Sequence, residues 1–385
     1  MQWGVFRPIL IKFVEKKRGK KLKAKKLARK GILKIASYIP GKSIEEVQRE
    51  FGAKRWVKLA SNENLFGPSP KAVAAIRKEL PNIYLYPEGP CTILRQALAK
   101  KFSIPEEMVV ISNGADNLIL MIACAFVDEG DEVLMADPTF SVYNNVTQIM
   151  GGKIVKVRLK DFTHDLDTML KKVNQKTKLV FICNPNNPTG TIITQASFNY
   201  FLSKLPQRVI VILDEAYGDF VEDTFYPNGL DYIKDRKQVI LLRTFSKVYG
   251  LAGLRIGYAF GRGDLVNCLY QVRDPFPVHR LAQAAAVAAL NDEEHVIKSI
   301  QSVYEGRRYL YKELDRLGLS YVPSQANFVL IDFERDSGEV FQAFLKEGVI
   351  IRPGKIWGYP TLARVTIGRM EDNQKFIKAL KKILK

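Results

Sequence analysis

Histidine and tryptophan are scarce in this chain, three of each in 385 residues, and cysteine, with four, is hardly commoner. The cysteines (Cys91, Cys124, Cys183 and Cys268) are scattered, with no C-x-x-C pair and no histidine at ligand spacing. That pattern excludes a zinc framework or a disulfide scaffold, and it predicts reduced, packed thiols in a cytoplasmic protein that needs no metal. No apolar run reaches the roughly 18 residues that a membrane-spanning helix requires. After residue 30 there is no internal repeat and no low-complexity segment.

Acidic residues are also in deficit, 40 against 59 Lys and Arg, for a formal charge of +19. The excess is uneven. Residues 1–30 carry nine Lys and three Arg against one acid, Glu15, a balance of +11. The other 355 residues carry only +8, so the basic signal belongs to an extension and not to the globular body. The apolar stretch in 5–14 is too short and too broken for a secretory signal, and the absence of Ser before Ser37 argues against an organellar transit peptide. The extension reads as a solvated segment. A basic helix touching nucleic acid or an anionic membrane surface is the sharper alternative.

A hydrophobic content of 47% is that of a soluble globular chain, and the length suits two lobes. Short apolar runs alternate with helical patterns, which predicts an α/β fold with a mostly parallel sheet of seven strands. The strand candidates are 108–112, 132–136, 153–158, 178–183, 208–213, 238–243 and 255–260, with helices such as 116–127 and 194–205 between them. Residues 281–318 read as one long helix interrupted at Gly306. Segments 327–333, 348–352 and 363–367 around a helix at 338–346 predict a smaller α+β domain. The expected organisation is an extension over 1–31, an arm over 32–60, a large domain over 61–270 and a small domain over 271–385.

Polar residues gather at the carboxyl ends of these strands, where open α/β sheets place ligands. Ser112-Asn113-Gly114-Ala115-Asp116 is a small-residue turn opening a helix, a setting that suits a phosphate but resembles any helix cap. Asn184-Pro185-Asn186-Asn187-Pro188-Thr189-Gly190 is a rigid turn that can aim an amide at a ring, or simply a loop rich in turn formers. Asp214-Glu215-Ala216-Tyr217 puts a carboxylate just beyond a fully apolar run, where it needs a partner. A protonated pyridine nitrogen is one such partner and a structural Arg or Lys another. Lys247 stands among glycines and apolar residues in Ser246-Lys247-Val248-Tyr249-Gly250-Leu251-Ala252-Gly253-Leu254-Arg255-Ile256-Gly257. A desolvated amine there suits Schiff-base chemistry, with Ser246 and Arg255 available for one phosphate.

Taken together, S-N-G-A-D, N-P-N-N-P-T-G, D-E-A-Y and S-K-x-x-G-L-A-G-L-R-x-G stand in the order and spacing of the fold-type-I aminotransferases dependent on pyridoxal 5′-phosphate. The resemblance covers roughly residues 32–385 and is strongest toward histidinol-phosphate aminotransferases. It extends to L-A-S-N-E-N (59–64), Y-P-E-G (86–89), D-P-T-F (137–140), A-N-F-V-L (326–330) and the segment 348–368. It implies an aspartate-aminotransferase-like large domain with pyridoxal phosphate as a Schiff base on Lys247, Asp214 at the pyridine nitrogen, and Tyr217 and Asn187 at the ring's phenolate oxygen. It further implies Phe140 stacked on the ring. The phosphate would be held by the Ala115 and Asp116 backbone, Ser246, Arg255 and a Tyr86 reaching across a homodimer.

By the same resemblance Arg364 clamps the substrate's α-carboxylate, Arg352 meets the substrate's own phosphate and Asn64 faces the substrate. The expected reaction is ping-pong transfer of an amine from histidinol phosphate to 2-oxoglutarate, a step of histidine biosynthesis. A threonine-phosphate decarboxylase or an aromatic amino acid aminotransferase shares these motifs. A ligand-binding or nucleic-acid-binding protein on the same fold is the non-enzymatic alternative. Asp274–His279 departs from the run usual in such relatives, and His279 reads as a packed residue and not a catalytic one.

Overall fold

The computed structural model describes residues 28–29, 31–35, 41–52, 55–235 and 238–385. Nearly all of the basic extension lies outside them, and so does the expectation that it touches an anionic partner.

The strands in chain order are β1 (Val57–Lys58), β2 (Val109–Ser112), β3 (Glu132–Asp137), β4 (Lys153–Arg158), β5 (Thr177–Cys183), β6 (Ile210–Asp214) and β7 (Val239–Thr244). They continue with β8 (Gly257–Gly261), β9 (Tyr321–Val322), β10 (Phe328–Asp332), β11 (Val349–Ile350), β12 (Arg352–Pro353) and β13 (Leu362–Thr366). A seven-stranded sheet runs β2-β8-β7-β6-β5-β3-β4. Only β8 is antiparallel to its neighbours. The predicted strands all appear, shifted by no more than two residues at either end.

The apolar runs form central strands because both faces of a parallel sheet must be covered. Side chains alternate between the faces with the period of two that strands impose. Val180, Ile182, Val211, Leu213, Val239 and Leu241 enter one core. Leu179, Phe181, Ile210, Ile212, Ile240 and Leu242 enter the other. At the sheet edge β4 is largely solvent-facing, and its lysines and arginine leave that edge charged.

A second, antiparallel sheet runs β12-β13-β10-β9, with the helices Ser337–Lys346 and Met370–Ile383 beside it. This is the smaller α+β domain. The N-terminal arm joins the same part of the molecule through β1, which pairs in parallel with β11.

The stretch 281–318 corrects the sequence reading. It forms two helices, Arg280–Leu290 and Glu293–Arg316, and the break falls at Asn291-Asp292. Asp292 is buried there, accepting a hydrogen bond from Ser69 and pairing with Lys71. Gly306 lies mid-helix and interrupts nothing. A Cβ on it would lie 2.6 Å from both Asn373 Nδ2 and Ile367 Cγ2, so its smallness serves close packing. Helix Arg280–Leu290 packs on the helices Pro70–Glu79 and Thr92–Phe102, so the chain stays with the large body past residue 271. Among the described residues no helix is long and apolar enough to cross a membrane, and no cluster of His, Cys, Asp and Glu could hold a metal ion.

Candidate active site

The carboxyl ends of β2, β5, β6 and β7 open onto one cavity of about 420 Å³. Small-molecule sites commonly span roughly 300–1,000 Å³. Its walls bring together residues far apart in the chain, and the small domain closes one side with Arg352, Ile356, Trp357 and Arg364.

The floor is built by β6. Asp214 ends that strand opposite Cys183 of β5 and is 3% exposed. One carboxylate oxygen accepts from Tyr143 Oη at 2.6 Å and the other from the Ala216 N–H at 3.0 Å. No ion pair reaches it among the described residues. Burial raises its pKa, and the bond from Tyr143 only partly offsets this. A buried carboxylate with two neutral donors and no cation is incomplete as it stands, and a ring N–H⁺ facing it would complete it. The neighbouring Glu215 differs. Its carboxylate turns away to an ion pair with Arg243 at 2.7 Å.

Lys247 follows the end of β7 and points into the same cavity. Its amine donates to the carbonyls of Ser61 at 3.2 Å and Asn62 at 3.1 Å, and no carboxylate pairs with it among the described residues. Burial, followed by the field of Arg364, holds its pKa down to about 8. An amine so placed is nucleophilic near neutral pH.

At one end, Ala115 and Asp116 occupy the first turn of helix Gly114–Phe126, beside Ser246 and Arg255. Arg255 has a left-handed backbone, φ 50°, and donates to Asp116 Oδ2 at 3.2 Å. This corner tolerates no extra carbon. A Cβ on Gly114 would sit 2.8 Å from Arg255 Nη2, and one on Gly257 2.6 Å from the Ala115 nitrogen. Free helix N–H groups, a hydroxyl and a guanidinium around one small space form an anion cradle.

The opposite end carries two arginines. Arg352 of β12 and Arg364 of β13 are direct cross-strand partners, and both line the cavity. Like charges facing each other across a strand pair repel unless an anion lies between them. Arg364 donates to Ala60 O at 2.8 Å and to Asn187 Oδ1, and it lies between the rings of Phe328 and Trp357, 5.3 and 5.1 Å away. Tyr217 and Asn187 meet on the cavity wall, Asn187 Nδ2 donating to the Tyr217 hydroxyl at 3.5 Å, and Phe140, also on the wall, packs near-perpendicular to Tyr143.

Two expected residues lie elsewhere. Asn64 is absent from the cavity wall because its amide donates instead to Val248 O at 2.9 Å and Ser299 Oγ at 3.1 Å. Asn62, two residues earlier, takes the place on the wall. Tyr86 is 79% exposed, stacked on Phe276 at 4.7 Å, and does not line the cavity of its own chain. His279 caps helix Arg280–Leu290, accepting from the Ala282 N–H.

Sequence reasoning missed Tyr143, Asn62 and Trp357. The first stands three residues after Phe140 and the second inside L-A-S-N-E-N, so proximity to quoted motifs was the available signal. Trp357 carried none.

An open α/β sheet with a desolvated lysine, a buried carboxylate and an anion cradle at its strand ends fits a cofactor-dependent group-transfer enzyme. The chain belongs to the class I and II aminotransferases, whose family model matches residues 54–380. It is 52% identical to the histidinol-phosphate aminotransferase of Moorella thermoacetica over 357 residues, 92% of each chain. Among solved structures it is similar to the histidinol-phosphate aminotransferase of Sinorhizobium meliloti in complex with pyridoxal-5′-phosphate. That match has a TM-score of 0.84 and 28% identity, covering 92% of this chain and 96% of that one. It is also similar to the L-threonine-O-3-phosphate decarboxylase of Porphyromonas gingivalis, with a TM-score of 0.76 and 26% identity, covering 85% and 99%.

Proposed function

We propose that the chain binds pyridoxal phosphate on Lys247 and transfers the amine of histidinol phosphate to 2-oxoglutarate. The observation that carries the substrate assignment is the facing pair Arg352 and Arg364. Two guanidiniums on one cavity wall suit a dianion better than a single carboxylate. The relatives' names point the same way.

When bound, pyridoxal phosphate supplies an aldehyde for an amine and a protonated ring that draws electrons from the substrate's α-carbon. The residues of this chain divide the remaining work. Asp214, held by Tyr143 and the Ala216 N–H, keeps a proton on the ring nitrogen. The backbone N–H groups of Ala115 and Asp116, with Ser246 and Arg255, would hold the cofactor phosphate, and Phe140 would stack on the ring. Tyr217 and Asn187 meet the ring's hydroxyl oxygen. Lys247, as a free amine, would take a proton from the substrate's α-carbon and give it up again as general acid. Its pKa of about 8 leaves neutral amine available near neutral pH. Arg364 holds the α-carboxylate of glutamate in the returning half, and Arg352 with Arg364 holds the phosphate in the forward half.

We also read the protein as a homodimer. Ile83, Tyr84, Leu85 and Tyr86 form an exposed apolar run next to Phe276. Such an exposed apolar run supports an interface between two copies, one that would let Tyr86 reach the phosphate cradle of the second.

The test is a paired assay on the purified full chain. With histidinol phosphate and 2-oxoglutarate, glutamate should appear at a rate that Arg352→Gln lowers chiefly through KM. Release of CO₂ from threonine phosphate without glutamate formation would replace this reading with a decarboxylase. Preference for phenylalanine or tyrosine over histidinol phosphate would replace it with an aromatic aminotransferase.

A further inference from the structure

Asn62 is 1% exposed, yet its backbone is left-handed, with φ 56°. A residue other than glycine holds that conformation only where its surroundings fix it. Every polar group of Asn62 is engaged. Its N–H donates to Thr366 Oγ1 at 2.9 Å, and the Thr366 hydroxyl donates back to Asn62 Oδ1 at 3.2 Å. Its carbonyl accepts from Lys247 Nζ at 3.1 Å and from Asn327 Nδ2 at 3.1 Å. With the Thr366 hydroxyl donating to Oδ1, the amide nitrogen Nδ2 faces the Tyr217 hydroxyl, 3.0 Å away.

That orientation has a chemical consequence. A phenol oxygen offers one proton and two lone pairs. Asn62 Nδ2 donates to this oxygen at 3.0 Å, and Asn187 Nδ2 approaches it more distantly at 3.5 Å. Neither amide nitrogen can accept, so the phenol proton has to find a third partner. Tyr217 lines the cavity, and the open direction leads into it. We infer that Asn62 is a positioning residue that fixes the polarity of Tyr217, making its hydroxyl a donor into the cavity. The same residue ties this donor to Lys247 through its carbonyl and to β13, two residues beyond Arg364, through Thr366. The inference rests on the reading above, in which a cofactor oxygen faces Tyr217.

The test compares wild type, Asn62→Gly, Asn62→Asp, Tyr217→Phe and the Asn62→Gly/Tyr217→Phe double variant. Glycine adopts the positive φ freely, so Asn62→Gly keeps both backbone bonds and removes only the amide. Aspartate keeps the shape but turns the donor into an acceptor that draws the phenol proton away from the cavity. Each protein is stripped of cofactor, its melting temperature is taken, and its Kd for pyridoxal phosphate is measured by fluorescence titration. The kcat is then measured on the loaded form.

Asn62→Gly should weaken pyridoxal phosphate binding and kcat by about tenfold, the scale of one hydrogen bond, and Asn62→Asp should lose more. In the Tyr217→Phe background Asn62→Gly should cost almost nothing further, because its target is gone. An undiminished loss in that background overturns the inference, as does an Asn62→Asp variant as active as wild type. If Asn62→Gly does not fold, Asn62→Asp completes the same cycle with Tyr217→Phe. Wild-type protein that takes up no pyridoxal phosphate sinks the underlying reading. Uptake with additive losses sinks this inference alone.

Discussion

The two sides of the cavity are built differently. On the large-sheet side, Ala115, Asp214, Ser246 and Lys247 sit at or within three residues past the end of a strand, inside a contiguous motif whose turn chemistry can be read from sequence. On the other side, Asn62, Arg352, Trp357 and Arg364 come from the irregular stretch after β1, a two-residue strand, a short 3₁₀ turn and a β-strand. Motif resemblance could name Arg352 and Arg364, but their meeting lies in the pairing of β12 with β13. The large-sheet side is specified by short-range sequence and the small-domain side by tertiary register. The account therefore expects the two sides to fail in different ways when broken.

The largest effect is expected on the large-sheet side. On the proposed reading Lys247→Ala removes both the attachment point and the proton carrier, and kcat should fall on the order of 10³-fold or more. Borohydride treatment followed by mass spectrometry should find the cofactor fixed to Lys247 in the wild type and to no residue in the variant. On the small-domain side, Arg352→Gln should lower kcat/KM for a phosphorylated substrate by about 10–100-fold, the scale of charged hydrogen bonds, with pyridoxal phosphate affinity unchanged. Equal losses of cofactor and substrate binding in either variant would erase the distinction between the two sides.

A smaller effect appears without any ligand. Folding lowers the Lys247 pKa from 10.5 to about 8. Between those values the unfolded chain holds a proton that the folded chain lacks. Stability of the cofactor-free protein thus gains from this group as pH rises from about 8 to about 10.5. Urea midpoints of wild type and Lys247→Met, compared at pH 7.5 and about 10, should show the variant's advantage shrinking at the higher pH. The site should feel least from Gly306→Ala. That change forces a carbon against Asn373 and Ile367 and should cost about 1–3 kcal/mol of stability, while the Kd for pyridoxal phosphate stays as it was.

The same contrast explains what could be read in advance. The inner strands were legible because buried strands are continuous apolar runs, Asp214 because a carboxylate beside such a run demands a partner, and Lys247 because glycines and apolar residues surround it. The helix break at Asp292 was not, since Ser69 and Lys71, which hold it, lie more than two hundred residues away. Gly306 misled for a related reason: a helix-breaking residue was there to admit a neighbour. Within L-A-S-N-E-N, periodicity could not say which asparagine faces the cavity. That choice falls to Thr366, which exchanges hydrogen bonds with Asn62 and leaves Asn64 to Val248 and Ser299.

The most direct test is the absorbance spectrum of the purified, pyridoxal-phosphate-loaded protein while histidinol phosphate is added with no oxo acid present. The account predicts a cofactor band at the edge of the visible that bleaches as the amine passes to the cofactor, returns on addition of 2-oxoglutarate, and is missing in Lys247→Ala. A band that ignores histidinol phosphate would contradict the substrate assignment, and no band at all after loading would contradict the central claim that Lys247 carries the cofactor.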